Sequence, residues 1–301
     1  MKIGIVLPIE DDGGGAVPYP VVREMAKGAE AGGLDSVWVY DHLLYRFGDD
    51  PTTGLYESWT ILSAIAEATA RVELGTIVIC TAFRNPAVLA KMAATLDAVS
   101  DGRLILGIGA GWHDPEFEAF GFPTDHKVGR FEEALTVITD LIRDGRADLE
   151  GKYVTVRNAV LVPPARADIP ILIAAKKPRM FELTARHADA WNMAWFGLPD
   201  ERLAAGRQGL AEAIARAGRD PSEIAITVGL EVRYPDLGPG EAAAPGRALE
   251  GSPEIIAEGL AAHAALGADH VMVALDPNTP AALTRFLEAV AAYRGTAARP
   301  A

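Results

Sequence analysis

Three short stretches hold side chains whose types and spacing can do chemistry. Asp41-His42 follows the apolar run at 36–40. A histidine at the C-terminal end of a strand can bond to a bound ring and move a proton near neutral pH. Asp41 would contact the same ligand; the plainer alternative is that Asp41 caps the next turn and His42 packs under the loop. The second stretch, Ala174-Ala175-Lys176-Lys177-Pro178-Arg179, joins a strand to a helix, with Pro178 suited to the first helical position. Unpaired N–H groups and the helix dipole favour an anion at such a junction. Two lysines and an arginine add charge, so a phosphate fits this loop; a solvated basic turn is the alternative. In the third stretch, Gly107, Gly109 and Gly111 follow Leu104-Ile105-Leu106, with Ala110 among them and Trp112-His113 after them. A strand end with almost no side chain lets a flat or phosphorylated group approach the backbone. It reads as the floor of a ligand site. Trp112 can wall a substrate pocket there, and His113 either touches substrate or caps the helix opened by Asp114-Pro115. Trp191, Asn192 and Trp195 end a later strand and either line the same pocket or are core.

These groups need a scaffold that brings strand ends together. Apolar runs at 3–7, 36–40, 73–79, 104–106, 171–174, 190–194, 224–232 and 269–274 read as strands. Amphipathic segments between and after them read as helices at 19–33, 57–70, 86–99, 128–143, 178–187, 200–217, 253–265 and 280–293. In the third of these, Val88, Leu89, Met92, Leu96 and Val99 share helical spacing, and Gly102 suits a left-handed stop. Residues 148–168 alternate and contain Pro163-Pro164, which suggests a hairpin-like insertion. Residues 236–251, rich in Gly, Pro and Ala, read as a mobile loop, and the tail from Gly295 as frayed.

Eight strands alternating with eight helices predict an α/β fold, a single (β/α)8 TIM barrel with insertion segments, one domain over 1–301. The alternative is a doubly wound sheet. Gly107-x-Gly109-x-Gly111 resembles its glycine fingerprint, but Trp112 stands where the third glycine belongs. The motif also lies in the fourth unit, and no helix opens directly after it.

Composition narrows the function. The chain of 301 residues has 28 basic and 41 acidic residues, a net charge of −13. That argues against nucleic acid and against an anionic membrane surface as partners. No run of 18 apolar residues exists to span a membrane, and the N-terminus reads as a buried strand rather than a signal peptide. Cys80 is the one cysteine, which fits a reducing cytoplasm, and after Ile77-Val78-Ile79 it reads as packing rather than as a nucleophile. Zinc and other metal motifs, a nucleophile elbow and a phosphate-binding P-loop have no counterpart.

Several stretches together resemble the bacterial-luciferase-like oxidoreductases. They are SVWVYDH at 36–42, YESWTILSAIAEATARVELGT at 56–76, the region 84–112, GWHDPEFEAFGFP at 111–123, GRFEEAL at 129–135, and PILIAAKKPRM through HADAWN at 170–192. They cover most of the chain through Asn192, in the family's order. The resemblance implies a (β/α)8 barrel that binds coenzyme F420 or FMN and a homodimer acting on a small-molecule substrate. It implies that His42 is the acid/base and that Asp41 contacts the cofactor ring. It implies a bulge with a cis Ile77–Val78 peptide backing that ring, so Thr76, Ile77 and Val78 join Gly109, Ala110 and Asn192 as cofactor contacts. Ala174, Ala175, Lys176 and Lys177 would hold the phosphate, although the family usually has small Gly/Ser residues where the two lysines stand. Sugar-phosphate dehydrogenases of the family have an acid at the Trp112 position, which argues against such a substrate. Hydride exchange through F420 is the leading expectation, an FMN-dependent monooxygenase using O₂ the close alternative, and a non-catalytic flavin-binding barrel a third.

Overall fold

Eight parallel strands close on themselves. The computed structural model describes residues 1–11, 15–238 and 246–297. The strands are β1 (Lys2–Val6), β2 (Ser36–Val39), β3 (Glu73–Thr76), β4 (Leu104–Gly109), β5 (Ile171–Ala174), β6 (Ala190–Phe196), β7 (Ala225–Arg233) and β8 (His270–Asp276). Each pairs with the next, and β8 returns to β1 with His270 beside Lys2 and Val273 beside Ile5. No edge is left open among these strands, so the doubly wound alternative is excluded. The helices are α1 (Tyr19–Ala31), α2 (Ser58–Ala68), α3 (Pro86–Val99), α4 (Asp114–Phe120), α5 (Lys127–Asp144), α6 (Pro178–His187), α7 (Glu201–Ala217), α8 (Pro253–Ala265) and α9 (Pro280–Ala297).

Local chemistry sets the helix starts that carry the site loops. Glu57 caps α2 by accepting the Trp59 and Thr60 N–H groups, and Asn85 caps α3 through Ala87 and Val88. Asp200 does the same for α7. Asp114 is the first residue of α4 and His113 stands at its cap position, but the His113 side chain makes no capping bond and bonds elsewhere. In α3 the buried face is Leu89, Ala90, Ala93, Ala94 and Leu96, while Val88 and Val99 are about half exposed. The small alanines, not the valines, let this helix sit close to the barrel. Beyond α3, Asp101 and Gly102 are both left-handed, as a helix stop requires. The insertion is an antiparallel hairpin of Arg146–Glu150 with Thr155–Val160. Part of the expected loop at 236–251 is ordered: Leu249–Glu250 pairs with Val232 and Arg233, while 239–245 lie outside the described residues. Gly295 is inside α9, and the tail beyond 297 also lies outside them.

Apolar side chains fill the barrel itself. Val6, Trp38, Ile77, Ile105, Leu172, Ala190 and Met272 form the interior cluster, with Tyr40, Val78 and Trp195 packed on it and partly exposed. Where β2 and β8 begin, a buried polar chain closes the other end. Trp38 Nε1 donates to Ser36 Oγ at 2.7 Å, and Ser36 Oγ lies 2.7 Å from His270 Nε2. The Ser36 oxygen accepts from Trp38, and its hydroxyl hydrogen can donate to a neutral His270. Burial, with Lys2 nearby, pushes the His270 pKa down to about 3.

Candidate active site

The C-terminal ends of the strands carry most of the chemistry-bearing residues singled out above. His42 follows β2, and its side chain is 13% exposed. Its Nδ1 lies 2.9 Å from Glu116 Oε1, near the start of α4, and Glu116 Oε2 accepts the Leu43 N–H at 2.8 Å. The Glu116 side chain is only 1% exposed. A buried carboxylate thus fixes both the ring of His42 and the backbone that follows it. The Nδ1–H donates to Glu116, so Nε2 is left as the acceptor that can exchange a proton.

His113 takes a different role. It is buried, and its Nε2 accepts the Arg46 N–H at 3.1 Å. Burial, with the charge of His42 acting in the same sense, pushes its pKa down. It is a neutral strut between the loops after β2 and β4. Around it stand Tyr45, Phe47 and Trp112. Trp112 meets His42 edge-on at 5.4 Å between ring centroids, and Tyr45 lies 4.6 Å from His42.

Asp41 is turned into the protein. Its Oδ1 accepts from Ser58 Oγ at 2.7 Å and Arg84 Nη2 at 2.9 Å, and its Oδ2 from Cys80 N at 3.0 Å and Arg84 Nη1 at 2.6 Å. Arg84 also pairs with Glu57. The Asp41 carboxylate is 1% exposed. It ties the loops after β2 and β3 to the start of α2, which leaves it no free oxygen for a ligand. Burial works against the Arg84 charge, but its two carboxylate partners outweigh that and raise its pKa. Cys80 is buried beside this pair, and burial pushes its thiol up to about 12, which removes it as a nucleophile.

Past Thr76, β3 breaks: the Ile77–Val78 peptide is cis, and Ile79–Cys80 resumes pairing with β4. Thr76 is buried and bonds both the carbonyl oxygen and the N–H of Gly107 through its hydroxyl, at 2.7 and 2.9 Å. The strand's glycines answer to this packing. A Cβ at Gly107 would meet the Thr76 carbonyl oxygen at 1.8 Å, and one at Gly109 would meet Val78 at 2.7 Å. The open floor inferred from these glycines is therefore filled by the protein's own third strand. Ile77 is buried in the barrel interior, whereas Val78 and Ala110 stay partly exposed.

Ala174 is partly exposed and Ala175 buried, held by its N–H to the Asn192 carbonyl at 3.2 Å and its carbonyl to Trp191 Nε1 at 2.9 Å. Asn192 is 2% exposed and donates to Thr227 Oγ1 at 3.0 Å, so its side chain belongs to the barrel interior. Trp195 is partly exposed above the interior cluster. Lys176 and Lys177 are exposed, and α6 starts with no side chain capping it. Lys176 stays exposed to solvent as a residue, but partial desolvation of its ammonium by the surrounding loops, then the nearby Arg202 and Arg247, lowers its pKa. Arg202 is fixed by Asp200 at 2.7 Å and lies over the Phe196 ring. The backbone of Ala248, next to Arg247, packs against Gly197. Three cations from the loops after β5, β6 and β7 thus converge beside an uncapped helix start. Asp200 offsets the charge of Arg202, and the remaining positive charge beside the free N–H groups of α6 suits an anion.

Two cavities flank this end of the barrel without including His42. One of about 640 Å³ is lined by His126, Lys127, Glu132, Tyr153 and Arg179, and one of about 360 Å³ by Leu43, Glu57, Phe83, Arg84 and Phe122.

Glu116, Arg84, Arg202 and Arg247 were not singled out from the sequence as site residues. Glu116 was readable only as a first-turn acid of α4. Its signal was a carboxylate three residues after His113, on a helix that opens directly at a strand end.

Residues 1–236 match the luciferase-like monooxygenase family. A phthiodiolone/phenolphthiodiolone dimycocerosates ketoreductase of Mycobacterium bovis BCG is 36% identical over 227 residues, which is 69% of this chain and 59% of the relative. The pyrimidine monooxygenase RutA of Rhizobium rhizogenes is 30% identical over 216 residues, 69% of this chain and 55% of that protein. This chain therefore spans less than two thirds of the curated relatives it matches. Among solved structures, an F420-dependent secondary alcohol dehydrogenase superposes with a TM-score of 0.79 at 21% identity, covering 97% of this chain and 99% of the other. A coenzyme F420-dependent tetrahydromethanopterin reductase from Methanopyrus kandleri gives 0.77 at 20% identity, covering 96% of each. At such identities the structures share the fold. The sequence match over most of the chain, carried on a closed barrel, shows that the chain belongs to the luciferase-like monooxygenase family.

Proposed function

We propose that this protein is an F420-dependent oxidoreductase that exchanges a hydride with a small organic ketone or secondary alcohol. The observation that carries the reading is the His42–Glu116 pair at the barrel mouth, a histidine held in one tautomer by a buried carboxylate. Such a pair suits proton transfer at a substrate oxygen. The cationic cluster of Lys176, Arg202 and Arg247 with the uncapped start of α6 fits the phosphate of such a cofactor, and Val78 and Trp195 fit as the apolar bed for its ring. When bound, the deazaflavin supplies or accepts a hydride at the substrate carbon. His42 Nε2 takes the hydroxyl proton as an alcohol is oxidised and returns it to the oxygen as a ketone is reduced. Glu116 keeps Nε2 in position throughout, and the rings of Tyr45 and Trp112 pack on His42. The ketoreductase relative supports the ketone–alcohol pair as the substrate class.

A second reading, an FMN-dependent monooxygenase using O₂, is supported by the pyrimidine monooxygenase relative. FMN carries a phosphate too, so the cationic cluster serves both. Equilibrium titration with F420 and with FMN, each followed by its own absorbance band, separates them. Submicromolar binding of F420 with weak binding of FMN is the expected result. The reverse would transfer the assignment to the monooxygenase, and binding of neither would remove both.

A further inference from the structure

The mouth of the barrel is divided by chemistry. Cations gather on the loops after β5, β6 and β7, whereas the loops after β2 and β4 present rings. Phe47 and Trp112 are 51% and 61% exposed; other large apolar side chains of the protein are exposed as far, but these two adjoin. They stack on each other at 6.3 Å and 20°, and Tyr45 stacks on Phe47 at 5.9 Å and 19°. The ladder ends on His42, which Tyr45 and Trp112 both touch. His113 supports it from beneath, 4.9 Å from Phe47 and 5.1 Å from Trp112. Arg46, in the same loop, donates through its Nε to Thr52 Oγ1 at 3.1 Å and keeps its charge. An exposed, pre-stacked shelf that runs into the proton-transfer residue is continuous with the reaction centre, unlike scattered surface hydrophobics.

We propose that Trp112 and Phe47 form the substrate-recognition shelf beside His42. It selects a ketone or secondary alcohol with an aryl or extended alkyl group next to the reacting carbon, against short substrates. This rests on the hydride-transfer reading above. The ring faces give apolar area and stacking.

The test uses the full chain with reduced F420 and a series of 2-alkanones from acetone to 2-octanone, with acetophenone and 2-acetonaphthone. Each added methylene is expected to raise kcat/KM about fourfold while the shelf is being covered. Trp112→Ala/Phe47→Ala should flatten the chain-length slope to less than about twofold per methylene, and Trp112→Phe should keep it. Both residues are half exposed or more, so folding does not depend on them. Binding of 2-acetonaphthone without cofactor, measured by calorimetry, is a separate readout. Binding that is lost in the double variant supports the shelf even if no ketone is reduced, in which case the hydride-transfer reading alone fails. Reduction of ketones with no dependence on chain length overturns the shelf and leaves the function. A slope unchanged in the double variant overturns it as well.

Discussion

His42 Nδ1 lies 2.9 Å from Glu116 Oε1, and the second oxygen of that carboxylate accepts the N–H of Leu43, the residue that follows His42. One buried acid therefore sets the ring and the backbone of the same loop. In serine hydrolases the carboxylate that orients the catalytic histidine is worth about 10⁴ in turnover. His42→Ala is expected to cut the chemical step by about 10²–10⁴ while cofactor affinity is retained. Glu116→Gln keeps the shape but can present its amide to Nδ1, favouring the wrong tautomer. It is expected to lower kcat at least about tenfold with little change in KM. Single-turnover rates unchanged in both variants would assign the pair to packing.

The ion pair of Asp41 and Arg84 is expected to carry stability rather than cofactor contact. Arg84→Ala leaves a carboxylate that is 1% exposed with only Ser58 and Cys80 N as donors. Removing one partner of a buried pair costs about 3–5 kcal/mol. Asp41→Leu/Arg84→Met removes the buried charge and leaves only Glu57, 42% exposed and still bonded to the start of α2, without its cation, so it should regain part of that loss. Urea unfolding of the three proteins measures both. A loss under about 1 kcal/mol in Arg84→Ala, or an Asp41→Asn variant that folds normally but loses F420, would restore the contact role.

The barrel was legible because its signals are local. Apolar runs, a proline at the first turn of α6 and the left-handed stop after α3 each fix one element, and eight repeats of strand and helix leave one closed arrangement. His42 and Lys176 were legible for the same reason, since each stands at a strand end. Glu116 and Arg84 were not. Their partners are 74 and 43 residues away in sequence, so nothing in their own neighbourhood reveals the pairing. Gly107 and Gly109 show the reverse. Their spacing suggested room for a ligand, yet the space belongs to Thr76 and Val78, which only the cross-strand register brings there.

Acid should find His270. In the folded protein its pKa is pushed down to about 3, against 6.5 for an ordinary histidine. Below about pH 6.5 the unfolded chain binds a proton that the folded chain refuses until about pH 3. Stability is therefore full above pH 6.5 and falls as pH drops toward 3, by at most about 5 kcal/mol from this residue. His263, buried with its pKa also lowered, adds a change of the same sign. His270→Asn can still accept from Ser36 but takes no proton. Its stability should change less with pH between 6.5 and 3 than that of the parent. Equal slopes for the two proteins in urea unfolding at four or five pH values would show that this histidine is not held neutral.

The Lys176 loop gives the last expectation, in two parts. If Lys176 and Lys177 grip the cofactor's phosphate, Lys176→Ala/Lys177→Ala removes two charge-assisted contacts. Both lysines are exposed, so each contact is worth less than its buried counterpart, and the combined loss is expected to be about tenfold in affinity. The start of α6 and its free N–H groups remain, so binding weakens rather than vanishes, and the difference from the parent shrinks at high salt. The second part concerns pH. Partial desolvation of its ammonium and the neighbouring Arg202 and Arg247 lower the Lys176 pKa, so its charge is lost at a lower pH than that of an ordinary lysine. The parent's affinity should then fall as pH rises through that lowered value. Lys176→Arg, whose guanidinium does not titrate in this range, should hold its affinity there. Titration with F420 from pH 7 to 10, at low and high ionic strength, reads both parts. Parent and double variant binding alike at low salt would show that the lysines face solvent, leaving the backbone of α6 with Arg202 and Arg247 as the grip.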